Sequence, residues 1–459
     1  KGKKQTDEQV QKEREQQEKP TKTPDQKEQP KRESQKPETT AEQQQADRQE
    51  KAAEADTSGK VDLGVFTPFT TGEQEEITLE NEVMNLRLST KGGNVKSVRL
   101  KGYQQYDSTN LVLIDESSSK FSYNFFHKNQ SINTADLYFK PKGPKQVSVT
   151  GKDSQSVRMV LPIADNKYLE QIYTITGDSY MIDYDLRLIG FDEVIPINTD
   201  YIDLTWASKL QQQEMNVSNE RNKTGINFKY NNGDVDYLSH TGSSKQDIAS
   251  SLKWVAFKQQ FFSQILIADQ KFDRGTVEQV QKEDLPYLER HSSDLTIPFN
   301  HNGKEEFGMK MFFGPNKYQE LNSHGHELTE LLPLGWAIFK WVNTFIIIPT
   351  FNFLGNFIAN YGLIIICLTI IIKVLLTPLT YKSFMSQAKM RALKPEIDKL
   401  KEKHGNDMQK MQMEQMKLYR KAGINPVGGC FPMLLQMPFL IAMFRFFPSS
   451  IELRQESFL

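Results

Sequence analysis

One apolar stretch near the end of the chain, residues 362–379, constrains the fold more than any other feature. It is 18 residues long and contains a single charge, Lys373. As an α-helix rising 1.5 Å per residue, it would be about 27 Å long, close to the ~30 Å hydrocarbon core of a bilayer. We therefore predict a transmembrane helix over residues 362–380.

The lysine inside this stretch needs an explanation. A charged side chain at the centre of a membrane helix costs about 2.5–3.5 kcal/mol on insertion scales, and such residues face a bundle interior or a watery cavity. Thr369 lies one turn before Lys373 on the same helix face, which favours a polar stripe facing an interior groove. Alternatively, Lys373 snorkels, because Thr380 at the end of the helix is only seven residues, roughly 10 Å, away. The residues alone leave both interpretations open.

A second apolar run, residues 423–447, predicts another transmembrane helix. Its polar residue, Gln436, needs a partner in hydrocarbon, and the proline that follows it, Pro438, removes a backbone hydrogen bond. The alternative is a kinked helix packed against its neighbours. The Gly- and Pro-rich segment leading into this helix predicts a tight turn, and its candidate residues are Asn425, Pro426, Gly428, Gly429, Cys430 and Pro432.

Residues 381–422, between the two apolar runs, are polar with helical spacing and are interrupted at residues 404–407. We predict an antiparallel helical hairpin. Its eleven Lys and Arg against five Asp and Glu place it in the cytoplasm by the positive-inside rule. Methionines suit a surface that accepts varied apolar partners, although they equally suit an ordinary helical seam. The candidate contact residues are Met385, Lys389, Arg391, Met408, Met411 and Lys417.

Upstream, residues 60–330 alternate apolar and polar side chains, which predicts a large antiparallel β-sandwich outside the cytoplasm. In the stretch around Tyr184, every second residue from Tyr180 to Leu188 is apolar or aromatic. Residues 331–361 carry Trp336 and Trp341, which predict an amphipathic helix in the membrane interface.

Both ends of the chain carry further expectations. Residues 1–59 have too few apolar side chains to offset the entropy of ordering, so they predict a disordered polar tether. Because the β-domain has to be exported, we expect a signal or membrane anchor before Lys1. Residues 448–459 are predicted to begin a further loop outside the cytoplasm.

No pattern in the sequence predicts catalysis. The seven histidines are scattered without metal-ligand spacing, so neither a metal nor any other cofactor is expected. Asp183 and Asp185 alternate with apolar residues and are interpreted as a solvated strand face rather than a glycosidase pair. The net charge of −1 gives no argument for nucleic-acid binding. We therefore expect a protein that is not an enzyme.

Several short motifs occur in a specific order here: PLT, Q-x-K-M-x-x-L-x-P-x-I, NP-x-GGC-x-P and Q-x-P. Their order and spacing resemble the YidC family of membrane protein insertases from Gram-negative bacteria. Weaker similarity extends to WVAFKQQFF, residues 254–262, and to Gly314-Pro315 and Gly335-Trp336. The resemblance implies a multi-domain protein of the inner membrane. It would have an all-β periplasmic supersandwich, an α-helical transmembrane insertase core with a hydrophilic substrate groove, and a cytoplasmic helical hairpin.

The resemblance also implies residue roles and partners. In that family a basic residue, usually arginine, lines the groove. Lys373 occupies its position, Thr369 that of the groove threonine, and we add Gln436 as a groove candidate. Lysine keeps the charge but lacks the planar guanidinium fork. The implied partners are nascent membrane proteins, the lipid bilayer, the Sec translocon and the ribosome, with no direct nucleic-acid recognition beyond ribosome contact.

Two other classes of protein remain as alternatives. A membrane-anchored periplasmic sensor would pair an external ligand domain with cytoplasmic helices, but it gives no reason for a lysine inside the bilayer. A carbohydrate-active protein is suggested only by the β-sandwich, which hosts many functions. That alternative needs converging carboxylates, and the sequence identifies none.

Overall fold

A computed structural model describes residues 62–239, 242–282, 285–405, 407–423 and 431–456. Within these ranges the chain forms a short 3₁₀ helix, Gly64–Phe69, then twenty strands, then a helical region. The strands are β1 Glu76–Glu80, β2 Met84–Ser89, β3 Val95–Gln104, β4 Asn110–Ile114, β5 Ser119–His127, β6 Gln130–Asn133, β7 Lys140–Lys142, β8 Gln146–Ser148, β9 Ser154–Ala164, β10 Lys167–Thr176, β11 Met181–Ile189, β12 Tyr201–Leu210, β13 Gly225–Tyr230, β14 Val235–Tyr237, β15 Ser244–Ile248, β16 Leu252–Lys258, β17 Phe262–Phe272, β18 Gly275–Val280, β19 Glu289–Pro298 and β20 Lys304–Pro315.

The strands form three sheets. A five-stranded sheet has the order β4-β3-β2-β1-β8, and a six-stranded sheet has the order β15-β18-β19-β12-β5-β6. The largest sheet has nine strands in the order β14-β13-β16-β17-β20-β11-β10-β9-β7. Pairing is antiparallel except between β1 and β8. A large, mainly antiparallel β-rich domain followed by helices is therefore what the chain forms.

Strand β11 illustrates how the sequence pattern produces this domain. Ile182, Tyr184 and Leu186 are buried in the core between the sheets, whereas Asp183 on the opposite face is exposed. This is the period-two pattern that the sequence predicts. The turn that joins β2 to β3 contains Gly92 and Gly93, which both have positive φ, and the two strands pair antiparallel across it.

The helical region packs on the outer face of the nine-stranded sheet. Its helices, with one earlier helix inside the β-domain, are α1 Val217–Arg221, α2 Tyr318–Ser323, α3 Ile338–Gly355, α4 Tyr361–Ala392, α5 Lys394–His404, α6 Met408–Lys421 and α7 Phe431–Phe446. Helix α3 contains a π-helical turn, Asn343–Ile347.

A second hydrophobic core joins the sheet to these helices. From the strands it takes Met181, Trp254, Ala256, Ile265, Ile267 and Phe312. From α3, α4 and α7 it takes Val342, Phe351, Ile364, Leu368, Ala442 and Phe446, among others. Strands β16 and β17 are consequently buried on both faces along much of their length. The membrane-type helices are therefore packed directly onto the β-domain.

Helix α4 is longer than the predicted transmembrane segment. It begins where the side chain of Asn360 accepts a hydrogen bond from the backbone N–H of Leu363 at 2.9 Å. It continues for 32 residues to Ala392 and ends just before Pro395. The sequence-based boundary at Thr380 marks a change in polarity and not a break in the backbone, since no helix-breaking residue lies between Tyr381 and Ala392.

Two of the described helices are long and apolar enough to cross a membrane, α3 and the first 18 residues of α4, Tyr361–Pro378. By length and hydropathy, α3 fits a membrane-spanning helix as well as it fits the interfacial helix that we predicted in this region. Trp336 and Trp341, at the start of this region, are exposed. Of the predicted second span, residues 423–447, residues 424–430 lie outside the described residues.

Candidate functional site

Helix α4 presents two different flanks along its length. Ile364, Leu368, Ile372 and Leu376 recur every four residues and are buried in the second core. Thr369 is half-buried and Lys373 is exposed on the adjacent flank. Because positions four apart drift only about 40° around a helix, the polar residues form a continuous stripe beside the buried one.

This stripe, hereafter the polar flank, consists of Thr369, Lys373, Thr377 and Thr380. The hydroxyl of Thr369 donates to the carbonyl of Ile365 at 2.8 Å, and that of Thr377 donates to the carbonyl of Lys373 at 2.8 Å. Thr380 makes the same type of bond to Leu376 at 3.1 Å. These hydroxyl protons are satisfied within the helix, while the oxygens keep a lone pair that can accept from a ligand.

Lys373 itself has no ion-pair or hydrogen-bond partner for Nζ among the residues described here. The other lysine in an apolar helix, Lys340 on α3, forms an ion pair with Glu330. The polar flank therefore carries an ammonium group with no compensating charge within the described part of the chain.

Gln436 lies on α7, one turn before Phe439 and two turns before Met443. Both of those residues pack against the second core, and Gln436 is half-buried. The glutamine therefore lies toward the packed side of α7, but no described hydrogen bond joins it to Lys373 or Thr369. Of the segment leading into α7, residues 425–430 lie outside the described residues, and Pro432 lies in the first turn of the helix.

Large apolar side chains are exposed on α7 and on the part of α4 that precedes Pro378. On α4 these are Leu363, Ile366, Ile370, Ile371, Val374 and Leu375, and on α7 these are Leu434, Met437, Leu440 and Phe444. Such a continuous apolar surface is suited to lipid or to further apolar helices.

Helices α5 and α6 form the polar helix pair, and Asp407 caps α6 by accepting from the N–H of Lys410 at 3.0 Å. Met385 and Met408 are exposed, as predicted for contact residues, whereas Met411 is half-buried on the side of α6 that also bears Leu418. The exposed methionines also include Met413 and Met416, which our candidate set omitted. Lys389, Arg391 and Lys417 are exposed, and Lys417 pairs with Glu414 at 2.7 Å.

The segment after α7 returns to the β-domain, a feature that the sequence did not reveal. Ile451 is buried in the main β core, and the guanidinium of Arg454 lies 2.6 Å from the carboxylate of Glu214. The adjacent carboxylate of Glu220 is fully buried and accepts backbone N–H bonds from residues 213 and 214 at 3.1–3.2 Å. A polar cluster therefore links the end of the helical region to the loop before α1.

Glu220 gives this cluster a pH dependence. Burial raises the pKa of Glu220 from 4.5 to about 7, and the neighbouring charge of Glu214 also raises it, against the lowering effect of its hydrogen bonds. Between pH 4.5 and 7 the folded state keeps a proton that the unfolded state has lost. The free energy of unfolding should therefore fall by about 3 kcal/mol as the pH rises through this window. Denaturant unfolding followed by tryptophan fluorescence at several pH values measures this change.

The control for this prediction is Glu220→Gln, which cannot titrate. We expect its stability to be nearly independent of pH over the same window, after subtraction of the slope contributed by other groups. An identical slope in the variant and the unmodified protein would show that Glu220 does not titrate near pH 7.

A separate cleft of about 600 Å³ lies on the six-stranded sheet. It brings together Asp203, Asp247 and Asp294, which are far apart in sequence, with Arg274. Asp294 accepts from the hydroxyl of Thr205 at 2.7 Å, and burial raises the pKa of Asp203. These carboxylates are not recognisable as a cluster in the sequence, because each alternates with apolar residues on a separate strand and looks like part of an ordinary solvated face.

The fold and the site define a class: a membrane-associated protein in which a large β-domain is packed on apolar helices, one of which carries a polar flank. Residues 76–348 match the family model described as YidC periplasmic domain, and residues 353–459 match that of the 60Kd inner membrane protein. The chain belongs to the YidC family. The resemblance inferred from the motifs is thereby confirmed.

Individual relatives agree with this assignment. The chain is 40% identical over 408 residues to membrane protein insertase YidC of Parabacteroides distasonis, covering 86% of this chain and 63% of the relative. It is 39% identical to the protein of the same name from Amoebophilus asiaticus, covering 86% and 67%. The match to that of Bacteroides fragilis is 35%, covering 89% and 66%. The chain thus spans about two thirds of the length of these relatives.

The solved structures that are similar to this chain share little sequence and have low TM-scores. A galactose mutarotase related enzyme from Lactobacillus acidophilus has a TM-score of 0.34 and 8% identity, covering 52% of this chain and 97% of that one. A TM-score of this size carries no argument about the present protein.

Proposed function

We propose that this chain belongs to an insertase that inserts and folds nascent integral membrane proteins in the inner membrane, alone or with the Sec translocon. Its substrates would be nascent membrane proteins, and its action requires no covalent chemistry and no cofactor. Support comes from the relatives named membrane protein insertase, which match most of this chain.

The observation that carries the proposal is the polar flank of α4. Lys373 is the single charge in the apolar first part of α4 and has no partner in the described residues, and Thr369 and Thr377 flank it one turn away on either side. An unpaired ammonium in a membrane is expensive unless it faces water or meets an anion. A passing acidic segment would supply that anion.

The mechanism follows from solvation. Carrying a carboxylate through hydrocarbon is unfavourable because the charge loses its hydration. The ammonium of Lys373, inside the apolar part of α4, lowers that barrier by attracting the carboxylate, while the threonine oxygens and Gln436 offer hydrogen-bonding groups. The apolar segment of the substrate then leaves along the exposed apolar surface of α4 and α7 into lipid.

The other parts of the chain have matching roles in this proposal. The basic helix pair α5–α6 and the adjoining end of α4 would lie in the cytoplasm. They would meet the ribosome and the emerging substrate through Met385, Met408 and the neighbouring lysines. The β-domain would be periplasmic. Helix α3 would lie in the interface between membrane and periplasm, with the exposed side chains of Trp341 in the helix and of Trp336 just before it.

A crosslinking experiment tests the groove directly. A photoreactive amino acid is placed at Thr369, at Gln436 and, as a lipid-facing control, at Ile370 in the intact protein. Ribosome-bound nascent chains of a single-span substrate with an acidic outer tail are then irradiated. We expect strong adducts with the tail from Thr369 and Gln436, and at least five-fold weaker ones from Ile370.

Equal crosslinking from all three positions would mean that the substrate contacts these helices without preference for the polar flank. Adducts confined to Ile370 would place the substrate on the lipid side and contradict the groove. A tail in which the acids are replaced by glutamine serves as the matched substrate, and its crosslinking to Thr369 should be weaker.

A further inference from the structure

The motif WVAFKQQFF, residues 254–262, has no role in the mechanism above. It spans the end of β16, the turn that follows and the start of β17, and we refer to it as the β16–β17 seat. This seat contacts both the chain segment that enters the membrane-type helices and the segment that leaves them.

The entering segment is held by Trp254. The side chain of Trp254 is 0% exposed, and its indole N–H donates to the backbone carbonyl of His326 at 2.9 Å. Residues 325–327 all have positive φ, of 69°, 53° and 59°, which is strained backbone for His326 and Glu327. Glu327 also forms an ion pair with Lys229 of β13 at 3.0 Å. The connector that leads into α3 is therefore fixed in one conformation on the sheet.

The leaving segment is held at the other end of the seat. The guanidinium of Arg454 lies 5.2 Å from the ring centroid of Phe262, pairs with Glu214 and donates to the carbonyl of Gln213 at 3.2 Å. The Arg454 side chain is only 3% exposed. Gln260 donates to the carbonyl of Pro448, just after α7, at 3.4 Å. An arginine buried in this way fixes position more than an exposed ion pair would.

The turn between these two attachments is itself rigid. Gln259 donates to the buried carboxylate of Glu220 at 3.1 Å, and Glu220 orders the loop that carries Glu214. On the opposite side, Asn316 donates to the carbonyl of Gln259 at 2.9 Å and accepts from the hydroxyl of Ser263 at 2.6 Å. The two attachments are thus connected by a hydrogen-bonded unit and not by a free loop.

We propose that the β16–β17 seat is a positioning site that holds the outer ends of α3 and α7 at a fixed spacing, so that the polar flank of α4 stays accessible between them. This inference rests on the proposed insertase function. Along β16 alone, Trp254 and Lys258 are four residues or roughly 14 Å apart. The β-domain then acts as a brace for the membrane helices and not only as an adaptor.

The test measures the position of α7 relative to the β-domain and the insertion activity in separate assays. Spin labels are attached at Lys152→Cys on the β-domain, where the native side chain is 88% exposed, and at Phe444→Cys on α7, where it is 80% exposed. Cys367 and Cys430 are first replaced by alanine. The distance distribution between the labels, and insertion of a single-span substrate, are measured for the unmodified sequence, Arg454→Lys and Arg454→Glu in proteoliposomes of the intact protein.

We expect Arg454→Glu to widen the distance distribution and to reduce insertion at least five-fold, while circular dichroism shows a folded β-domain. Arg454→Lys keeps a positive charge near Glu214. This variant should retain most of the insertion activity and a distance distribution close to that of the unmodified protein. The control is Arg187→Glu, which makes the same charge reversal at a more exposed ion pair, with Glu306, elsewhere on the sheet. It should change neither the distance distribution nor insertion.

An unchanged distance distribution in Arg454→Glu would overturn the inference, and so would a widened distribution with normal insertion. Lys373→Ala in the same experiment should lose insertion without widening, which distinguishes the seat from the groove. If the unmodified protein inserts no substrate, the insertase proposal fails, and the distance distributions alone then decide whether the seat holds α7.

Discussion

Replacing Lys373 by glutamate should abolish insertion of a single-span substrate with an acidic outer tail, and replacing it by alanine should reduce insertion at least ten-fold. Lys373→Arg should retain most of the activity, because it keeps a positive charge at the same depth. The reason is electrostatic. In a medium of low dielectric constant, the acidic tail is attracted by lysine or arginine at this position, loses that attraction with alanine, and is repelled by glutamate. Insertion is measured in proteoliposomes without the Sec translocon, at equal protein level.

The control for this series is Lys340→Ala on α3. That lysine also lies in an apolar helix, but it is paired with Glu330 and does not belong to the polar flank. We expect its removal to leave insertion within two-fold of the unmodified protein. Equal insertion by all three Lys373 variants would mean that the lysine only snorkels, and the groove mechanism would be wrong.

Truncating Trp254 to alanine should lower the free energy of unfolding by about 3–5 kcal/mol. The side chain is fully buried in the second core, and its removal leaves both a large cavity and an unpaired carbonyl at His326. Trp254→Phe should cost less, about 1–3 kcal/mol, since it keeps most of the packing and loses the hydrogen bond. Denaturant unfolding of the intact protein gives these values, and hydrogen exchange locates the loosened segment.

Trp206→Ala is the matched control for this truncation. Trp206 is also buried, but it stacks on Phe257 at 3.9 Å within the main β core. Its truncation should cost a similar amount while leaving hydrogen exchange of α3 unchanged, whereas Trp254→Ala should accelerate exchange there. Identical exchange patterns in the two variants would show that Trp254 does not connect the sheet to α3.

Local periodicity was sufficient to predict the inner faces of strands. Alternation in β11 correctly placed Tyr184 and Leu186 in the core, because one face of that strand packs on another sheet. It placed Met181 on the opposite, outward face, yet Met181 is buried there because the helical region covers that end of the strand. Burial by elements more than a hundred residues away in the sequence leaves no local periodic signal.

The candidate site was predictable to a similar extent. Lys373 could be recognised from the sequence because it is the single charge in an apolar run. Helical spacing then predicted that Thr369 lies one turn away on the same face. Spacing could not distinguish Met411, on the half-buried side of α6, from Met408 on its exposed surface, since the partner helix sets that difference. Arg454 and Glu220 were missed because each looks like an ordinary surface charge until the fold brings the two segments together.

The length of α4 has a mechanical consequence. At 32 residues it extends for about 48 Å, longer than the hydrocarbon core of a bilayer, so one helix joins the part that packs on the second core to the basic helix pair. Pro378 lies inside it and removes the backbone hydrogen bond to Val374. A helix bends most easily where its backbone hydrogen bonding is interrupted, and in α4 that point lies about one turn beyond Lys373. In the proposed insertase, movements of the polar helix pair would therefore bend α4 beside the Lys373 ammonium group, while the part of α4 that packs on the second core would keep its position.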